Sequence, residues 1–393
     1  MELAKRYGGQ TPSGMVRIFQ AIEEMTSAGN PPLNLSIGEP DFVTEPDIVD
    51  AAAGAAKEGF THYPPLPGFP DLREAVCAYW ERHHGLKARP EEVYISVGGL
   101  HAAWLVFQAL LNPGDEVLVF EPYFTPYADQ IRGNGGVPVP IRTREENAFA
   151  PTPDELRAAA TPRTRGILLN SPGNPSGRVL PRRQMEEIAA FAEERDLFVL
   201  SDEIYESMVF NGCHTCFAAL PGMKERTVLI SGVSKSHCMT GWRLGYLIAP
   251  ANLIQLLCVN STFQTYGVNT LAQKGACYAL NTQDAKVQER SAVFAARMKA
   301  VRERLDTMTG VECHPAEGAF YLFPSIRGTG LSSEEFAWRL LREAGVAVVP
   351  GNAFGSTGEG YIRIACTQSQ ETLMAAMDKM ESFTRSLAQN MPA

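Results

Sequence analysis

Val228-Leu229-Ile230-Ser231-Gly232-Val233-Ser234-Lys235-Ser236-His237-Cys238-Met239-Thr240-Gly241-Trp242-Arg243-Leu244-Gly245-Tyr246-Leu247-Ile248-Ala249 sets a lysine and an arginine between two apolar runs. Val228 to Ile230 and Leu244 to Ala249 read as strands, and the stretch joining them is poor in charge. An isolated lysine in a mixed sequence is usually a solvated surface residue. Burial between two such strands instead depresses the pKa of Lys235 and favours the free amine, a nucleophile. That amine can form a Schiff base with an aldehyde, and the Arg243 guanidinium is shaped to clamp a phosphate.

An aldehyde that also bears a phosphate points to pyridoxal phosphate, and two upstream stretches sharpen the point. Leu197-Phe198-Val199-Leu200-Ser201-Asp202-Glu203-Ile204-Tyr205 reads as a buried parallel strand ending in a carboxylate and a phenol. Ligands of open α/β sheets gather at the carboxyl ends of the strands, where Asp202 and Tyr205 fall. A carboxylate there can hold a pyridine nitrogen protonated and make the ring an electron sink, and Tyr205 can donate to the ring's phenolic oxygen. Taken alone, Asp202 is equally a helix cap at a strand exit. Leu168-Leu169-Asn170-Ser171-Pro172-Gly173-Asn174-Pro175-Ser176-Gly177 is an apolar strand entering a dense turn, which by itself is no more than a loop. Asn174 before Pro175 can adopt an unusual backbone geometry, a cis bond included, that points its amide into the same crevice.

These stretches belong to an ordered series. It also contains Leu35-Ser36-Ile37-Gly38-Glu39-Pro40-Asp41-Phe42, His62-Tyr63-Pro64-Pro65-Leu66-Pro67-Gly68, Val97-Gly98-Gly99-Leu100-His101-Ala102-Ala103, Gly241-Trp242-Arg243 and Tyr361-Ile362-Arg363-Ile364-Ala365. In their joint order, over nearly the whole chain, the sequence resembles the fold type I pyridoxal-phosphate enzymes, and more narrowly the class I/II aminotransferases.

The resemblance implies that Lys235 forms the Schiff base with pyridoxal 5'-phosphate, that Asp202 pairs with the pyridinium, and that Tyr205 and Asn174 bind the phenolic oxygen. Arg243 would take the phosphate, with backbone amides at Gly99 and Leu100 where a helix begins, a suitable place for an anion. Relatives often carry a serine three residues before the lysine. That position is Gly232 here, leaving Ser231 and Ser234 as candidate donors. Phe124, in Glu121-Pro122-Tyr123-Phe124-Thr125-Pro126-Tyr127, matches the aromatic residue that stacks on the pyridine ring, or else is ordinary core packing. Arg363 matches the arginine that binds the substrate α-carboxylate, for which a bidentate fork is well shaped, and Gly38 would bring backbone close to the same group. Tyr63 corresponds to a tyrosine that reaches the phosphate of the neighbouring subunit's cofactor, implying a homodimer with two shared active sites.

Length and composition fit an α/β enzyme. The 393 residues are 45% hydrophobic and can bury a large core, and apolar strands alternate with amphipathic helical patterns. Strands are expected near Val93 to Val97, Glu116 to Phe120, Gly166 to Asn170, Leu197 to Ser201, Thr227 to Ser231 and Leu244 to Ala249. Helices are expected from Leu100 to Leu111, Arg182 to Arg195 and Asp284 to Thr307. The expected division is a large pyridoxal-phosphate-binding domain over 47–285, with a mostly parallel seven-stranded sheet, and a smaller α+β domain from 1–46 and 286–393.

A formal charge of −9 gives no basic surface for nucleic acid. The first residues lack the apolar core of a signal peptide and no stretch approaches a membrane span, so a cytoplasmic protein is expected. Eight cysteines are too sparse for a disulfide scaffold. Cys213-His214-Thr215-Cys216 has a spacing that suits a metal or redox pair, but no second such pair completes a zinc site, and a surface loop is the plainer reading with no metal expected.

The family chemistry implies that an L-amino acid gives up its amino group and leaves as a 2-oxo acid, and that a second oxo acid, such as 2-oxoglutarate, takes the amino group on. Relatives specific for aspartate often carry a lysine directly after the Gly-Gly pair. Leu100 stands there, which favours neutral, aromatic or aliphatic donors. His101 next to it lines the pocket or caps the helix start. Arg17 either restores binding of acidic substrates or faces solvent from a helix. The same lysine, aspartate and arginine also support β-elimination from cysteine conjugates or cystathionine. A non-catalytic cofactor-binding regulator is the alternative of another class.

Overall fold

The computed structural model describes residues 14–147 and 149–389. Its strands are β1 (Leu33–Asn34), β2 (Val93–Ser96), β3 (Glu116–Glu121), β4 (Val137–Arg142), β5 (Thr164–Asn170), β6 (Phe198–Asp202), β7 (Thr227–Gly232), β8 (Gly245–Ile248), β9 (Tyr321–Leu322), β10 (Val346–Ala347), β11 (Val349–Pro350) and β12 (Ile362–Ala365). Seven of them form the central sheet in the order β2-β8-β7-β6-β5-β3-β4. All neighbours run parallel except β8, which is antiparallel to β2 and to β7 on either side of it.

The apolar runs are continuous because both faces of this sheet are covered. Val117, Val119, Leu168, Leu200, Val228 and Ile230 point to one side, into a cluster completed by the helix α4 described below. Leu118, Ile167, Leu169 and Val199 point to the other, against Met185, Ile188 and Phe191. Successive side chains of one strand thus feed two different cores.

In chain order the helices up to the first half of the sheet are α1 (Gly14–Ser27), α2 (Pro46–Lys57), α3 (Pro70–His84), α4 (Gly99–Leu110), α5 (Pro126–Gly133) and α6 (Pro153–Ala159). They are followed by α7 (Arg182–Glu194), α8 (Ala251–Ser261), α9 (Thr270–Thr282), α10 (Asp284–Leu305), α11 (Ser333–Arg339) and α12 (Gln370–Gln389). The expected strands and helices all occur, with ends displaced by one or two residues. β4 was not anticipated. Its alternating Pro138 and Pro140 argue against a strand interior, yet β4 lies at the edge of the sheet, where missing N–H donors leave no ladder bond unmade.

A separate apolar cluster brings together Ile18 and Ala21 of α1, Phe294, Met298 and Val301 of α10, Phe320 to Leu322, and Leu373, Met377 and Met380 of α12. Two small sheets lie beside it. β1 pairs in parallel with β10, and β12 lies between β11 and β9, antiparallel to both. The chain before the central sheet therefore packs with the chain after it. Among the described residues no helix is long and apolar enough to cross a membrane.

Candidate active site

The reversed strand places the chemistry. Ser96 and Gly232, at the ends of β2 and β7, are both level with Gly245, the first residue of β8. The connection from β7 to β8 therefore leaves and re-enters at one rim, the carboxyl rim of β3, β5 and β6 as well. The three chain segments meet closely there. A Cβ on Gly232 would lie 2.9 Å from the Gly245 Cα, and one on Gly245 2.7 Å from the Gly98 carbonyl carbon. No side chain fits at 232, so the serine of relatives is sterically barred. Ser231 and Ser234, to either side, both line the cavity at this rim.

That cavity has a volume of about 380 Å3. At one end is the start of α4, with Gly98 at φ 79° as the residue before the helix. Gly99, Leu100, Ser234 and Arg243 line this end. Arg243 donates from Nη1 to the Thr240 carbonyl at 2.7 Å, and a Cβ on Gly98 would lie 2.9 Å from its Nη2. The glycine lets the arginine approach the helix start, and Ser234 lines the same cavity. A helix N-terminus beside a guanidinium is chemically suited to a phosphate.

In the middle lie Asp202, Tyr205, Phe124 and Lys235. Asp202 accepts from the Tyr127 hydroxyl at Oδ2, 2.6 Å away, and from the Ile204 amide at Oδ1, 3.1 Å away. Burial nevertheless pushes its pKa from 3.8 up to about 6, with the Tyr127 bond pulling the other way. A buried carboxylate in this state favours a cation in front of it. Burial acts oppositely on Lys235, lowering it from 10.5 to about 8, while Glu39 raises it and Arg363 and Arg243 lower it further. The free amine expected from the sequence is thus accessible near neutrality. Its Nζ donates to the Gly38 carbonyl at 2.6 Å. Phe124 forms part of the cavity wall, edge-on to Tyr127 with ring centroids 5.4 Å apart.

Arg363, 4% exposed on β12, also lines the cavity. Its Nη1 donates to Asn174 Oδ1 at 2.9 Å and its Nη2 to the Ser36 carbonyl at 2.5 Å, while its buried Nε has no partner. Asn174 is fixed in turn by its backbone N–H, which donates to Asn170 Oδ1 at 2.8 Å, and the Asn174-Pro175 bond is cis. Gly38 lies beside this group. An orphaned guanidinium donor facing a cavity suits a carboxylate.

Of the expected residues, Tyr63 alone is not brought into the cavity. It is 82% exposed, its ring 5.0 Å from that of Tyr266. His101 is a helix-start residue, its Nδ1 accepting from the Val97 amide at 3.1 Å. Arg17 faces outward and pairs with Glu334 at 3.2 Å, both side chains about half exposed. Its neighbours Met15 and Phe19, one turn apart on α1, line the cavity instead. In the Cys213 to Cys216 loop Cys213 is exposed and Cys216 buried, and His214 turns to Glu203 with Nε2 and Oε2 2.6 Å apart. Among the described residues no group of three or more His, Cys, Asp or Glu is disposed to hold a metal.

Tyr127 and Tyr321 escaped sequence reasoning. Each was visible only as an aromatic in an apolar stretch, and neither contact is local. Tyr127 meets Asp202 from 75 residues away and Tyr321 meets Tyr205 from 116.

Known proteins are similar to this chain over nearly its whole length. The family model for aminotransferase class I and II matches residues 30–380. An aspartate aminotransferase of Geobacillus stearothermophilus is 37% identical over 99% of this chain and all of its own length. Aromatic-amino-acid aminotransferase 2 of Thermococcus litoralis is 41% identical over 98% of this chain and 99% of its own. The solved structure of the Thermus thermophilus aspartate aminotransferase with maleate superposes with a TM-score of 0.92 at 36% identity, covering 98% of this chain and 99% of that one. The chain belongs to aminotransferase class I and II.

Proposed function

We propose that this aminotransferase binds pyridoxal 5'-phosphate through Lys235, with the phosphate at Arg243, Ser234 and the amides of Gly99 and Leu100. Family members of this fold use that cofactor. The residues present fit it: a helix start with Arg243 suited to a phosphate, a buried carboxylate without a cationic hydrogen-bond partner, and a lysine whose pKa is lowered by burial, all lining one cavity. The single observation that carries the reading is that one cavity is lined by both the buried Asp202 carboxylate and the Lys235 amine, with burial raising the first to about 6 and lowering the second to about 8.

When bound, the cofactor supplies an electron sink for a negative charge at the substrate Cα. In this reading Asp202 keeps the ring nitrogen protonated, Tyr205 and Asn174 hold the phenolic oxygen, and Phe124 covers the ring face. Lys235 would serve as the base for the substrate Cα proton and as the acid that hands that proton back, its amine being the proton-carrying group of the site. Arg363 and Gly38 orient the α-carboxylate so that the Cα proton faces that amine.

The substrates in this reading are an L-amino acid with a neutral, aromatic or aliphatic side chain and a 2-oxo acid such as 2-oxoglutarate. Support comes from Met15, Phe19, Ile37 and Leu100 on the cavity wall. Its three cations among the described residues, Lys235, Arg243 and Arg363, already have partners in the scheme. The unit is a cytoplasmic homodimer, with Tyr63 reaching the neighbouring subunit's phosphate. Tyr63, Phe263 and Tyr266 are 82%, 68% and 51% exposed, an aromatic patch suited to cover by a second copy. The division into a large domain over 47–285 and a small one from 1–46 and 286–393 belongs to the same reading.

The test is a single-turnover spectral screen of the cofactor-loaded protein against individual amino acids with no oxo acid present. Loss of the visible band with release of the matching oxo acid supports amino transfer and ranks the donors. Pyruvate and ammonia accumulating with the band unchanged would indicate β-elimination. No response to any donor would overturn the substrate assignment.

A further inference from the structure

Tyr321 stands where three parts of the site meet. Its hydroxyl is 2.9 Å from that of Tyr205, and the two rings are edge-on at 5.7 Å. Its ring face carries the Arg363 guanidinium, 4.7 Å from the centroid. Its hydroxyl also fills the space beside Gly38, where an added Cβ would lie 1.9 Å away. The side chain is 2% exposed and has little freedom to leave this position.

We propose that Tyr321 is a positioning residue for amino transfer: its hydroxyl holds that of Tyr205 on the cofactor's phenolic oxygen, while its ring supports Arg363 at the substrate carboxylate. This inference rests on the cofactor reading above.

The physical basis is the dual character of a hydroxyl, which donates one hydrogen and accepts others. When the Tyr205 O–H turns to an acceptor in the cavity, its oxygen becomes the acceptor for the Tyr321 O–H, 2.9 Å away. A phenol that accepts a hydrogen bond is a better donor, so the pair acts cooperatively in a buried site. Without Tyr321 the Tyr205 hydroxyl keeps its place on the ring but loses the bond that orients it. Donation to the phenolic oxygen withdraws negative charge that would otherwise hold a proton on the adjacent lysine-derived nitrogen. It therefore lowers the pH at which the visible band of the cofactor-loaded protein titrates.

The test is Tyr321→Phe, which deletes the hydroxyl and keeps the ring under Arg363. In the protein loaded with pyridoxal 5'-phosphate, the midpoint of the visible-band pH titration should rise by on the order of half a unit, as one neutral hydrogen bond warrants. Tyr205→Phe should raise it further. In the double variant, Tyr321→Phe should add nothing to the Tyr205→Phe shift. The KM for the amino acid should stay within about twofold while kcat falls, because the ring contact to Arg363 remains. An unmoved midpoint in Tyr321→Phe, or a shift that persists undiminished when Tyr205 is already Phe, overturns the inference and leaves the cofactor reading standing. An unmoved midpoint in Tyr205→Phe overturns both.

Discussion

The hydroxyl of Tyr127 lies 2.6 Å from Oδ2 of Asp202, and yet Asp202 remains a carboxylate under strain from burial. One donor and one backbone amide do not replace the water that this group has lost.

A carboxyl whose pKa is higher in the folded than in the unfolded chain costs stability when ionised. For Asp202 that cost is absent below about pH 4, grows through the interval up to about 6, and is complete above it. Asp202→Asn should therefore make the cofactor-free protein more stable at pH 8, by on the order of 2 kcal/mol in urea unfolding, with the gain fading toward pH 4. It should also weaken cofactor retention. A gain that does not vary with pH would remove burial as its cause.

Lys235 makes the converse case. Its lowered pKa means that covalent capture of added pyridoxal 5'-phosphate should accelerate about tenfold per pH unit below about 8 and level off above it. Lys235→Ala should leave no borohydride-reducible link to the cofactor. A link that survives this change would place the amine elsewhere.

Arg363→Lys keeps the charge and loses the fork. One or two charge-assisted hydrogen bonds to the substrate carboxylate would be lost, so KM for the amino acid should rise roughly 10- to 100-fold. The cofactor should stay bound, because none of the groups assigned to its phosphate is altered. Unchanged saturation by the amino acid would exclude the carboxylate role.

Behind the site, Glu203 is fully buried and points away from Asp202, its neighbour in the chain. It is held by His214, by the Ser201 hydroxyl at 2.8 Å and by the Phe217 amide at 3.1 Å. His214→Leu leaves that carboxylate short of a partner and should cost about 2 to 4 kcal/mol in thermal or urea unfolding. Pairing it with Glu203→Gln should recover part of the loss. Equal losses in the single and double variants would mean that the histidine acts by packing alone.

Much of this was legible in the sequence because the decisive signals are local. Strands β5, β6 and β7 announce themselves as short apolar runs, and each is followed within a few residues by a group that the sequence reading could assign, Asn174 after β5, Asp202 and Tyr205 at the end of β6, and Ser234-Lys235 after β7. β4 was hidden because its prolines speak against a strand until its place at the edge is known. The strands β9 to β12 are two to four residues long, and the largely apolar runs Ala319 to Phe323, Ala347 to Val349 and Tyr361 to Ala365 mark their neighbourhood without giving their pairing. Tyr127 and Tyr321 were hidden for another reason. An aromatic in an apolar run packs in the core as a rule, and only tertiary structure reveals that its hydroxyl has a partner across the cavity.

The reversed direction of β8 carries one more lesson. A strand continuing parallel to β7 would have sent the chain back to the opposite edge of the sheet before its return, parting Arg243 from Lys235 by the height of the fold. As a hairpin-like excursion between Gly232 and Gly245, the two residues travel as one cassette, anchored at both feet by glycines that tolerate no side chain. The spacing between the Lys235 amine and the Arg243 guanidinium is therefore set within one short connection of the chain and does not depend on how separate elements dock.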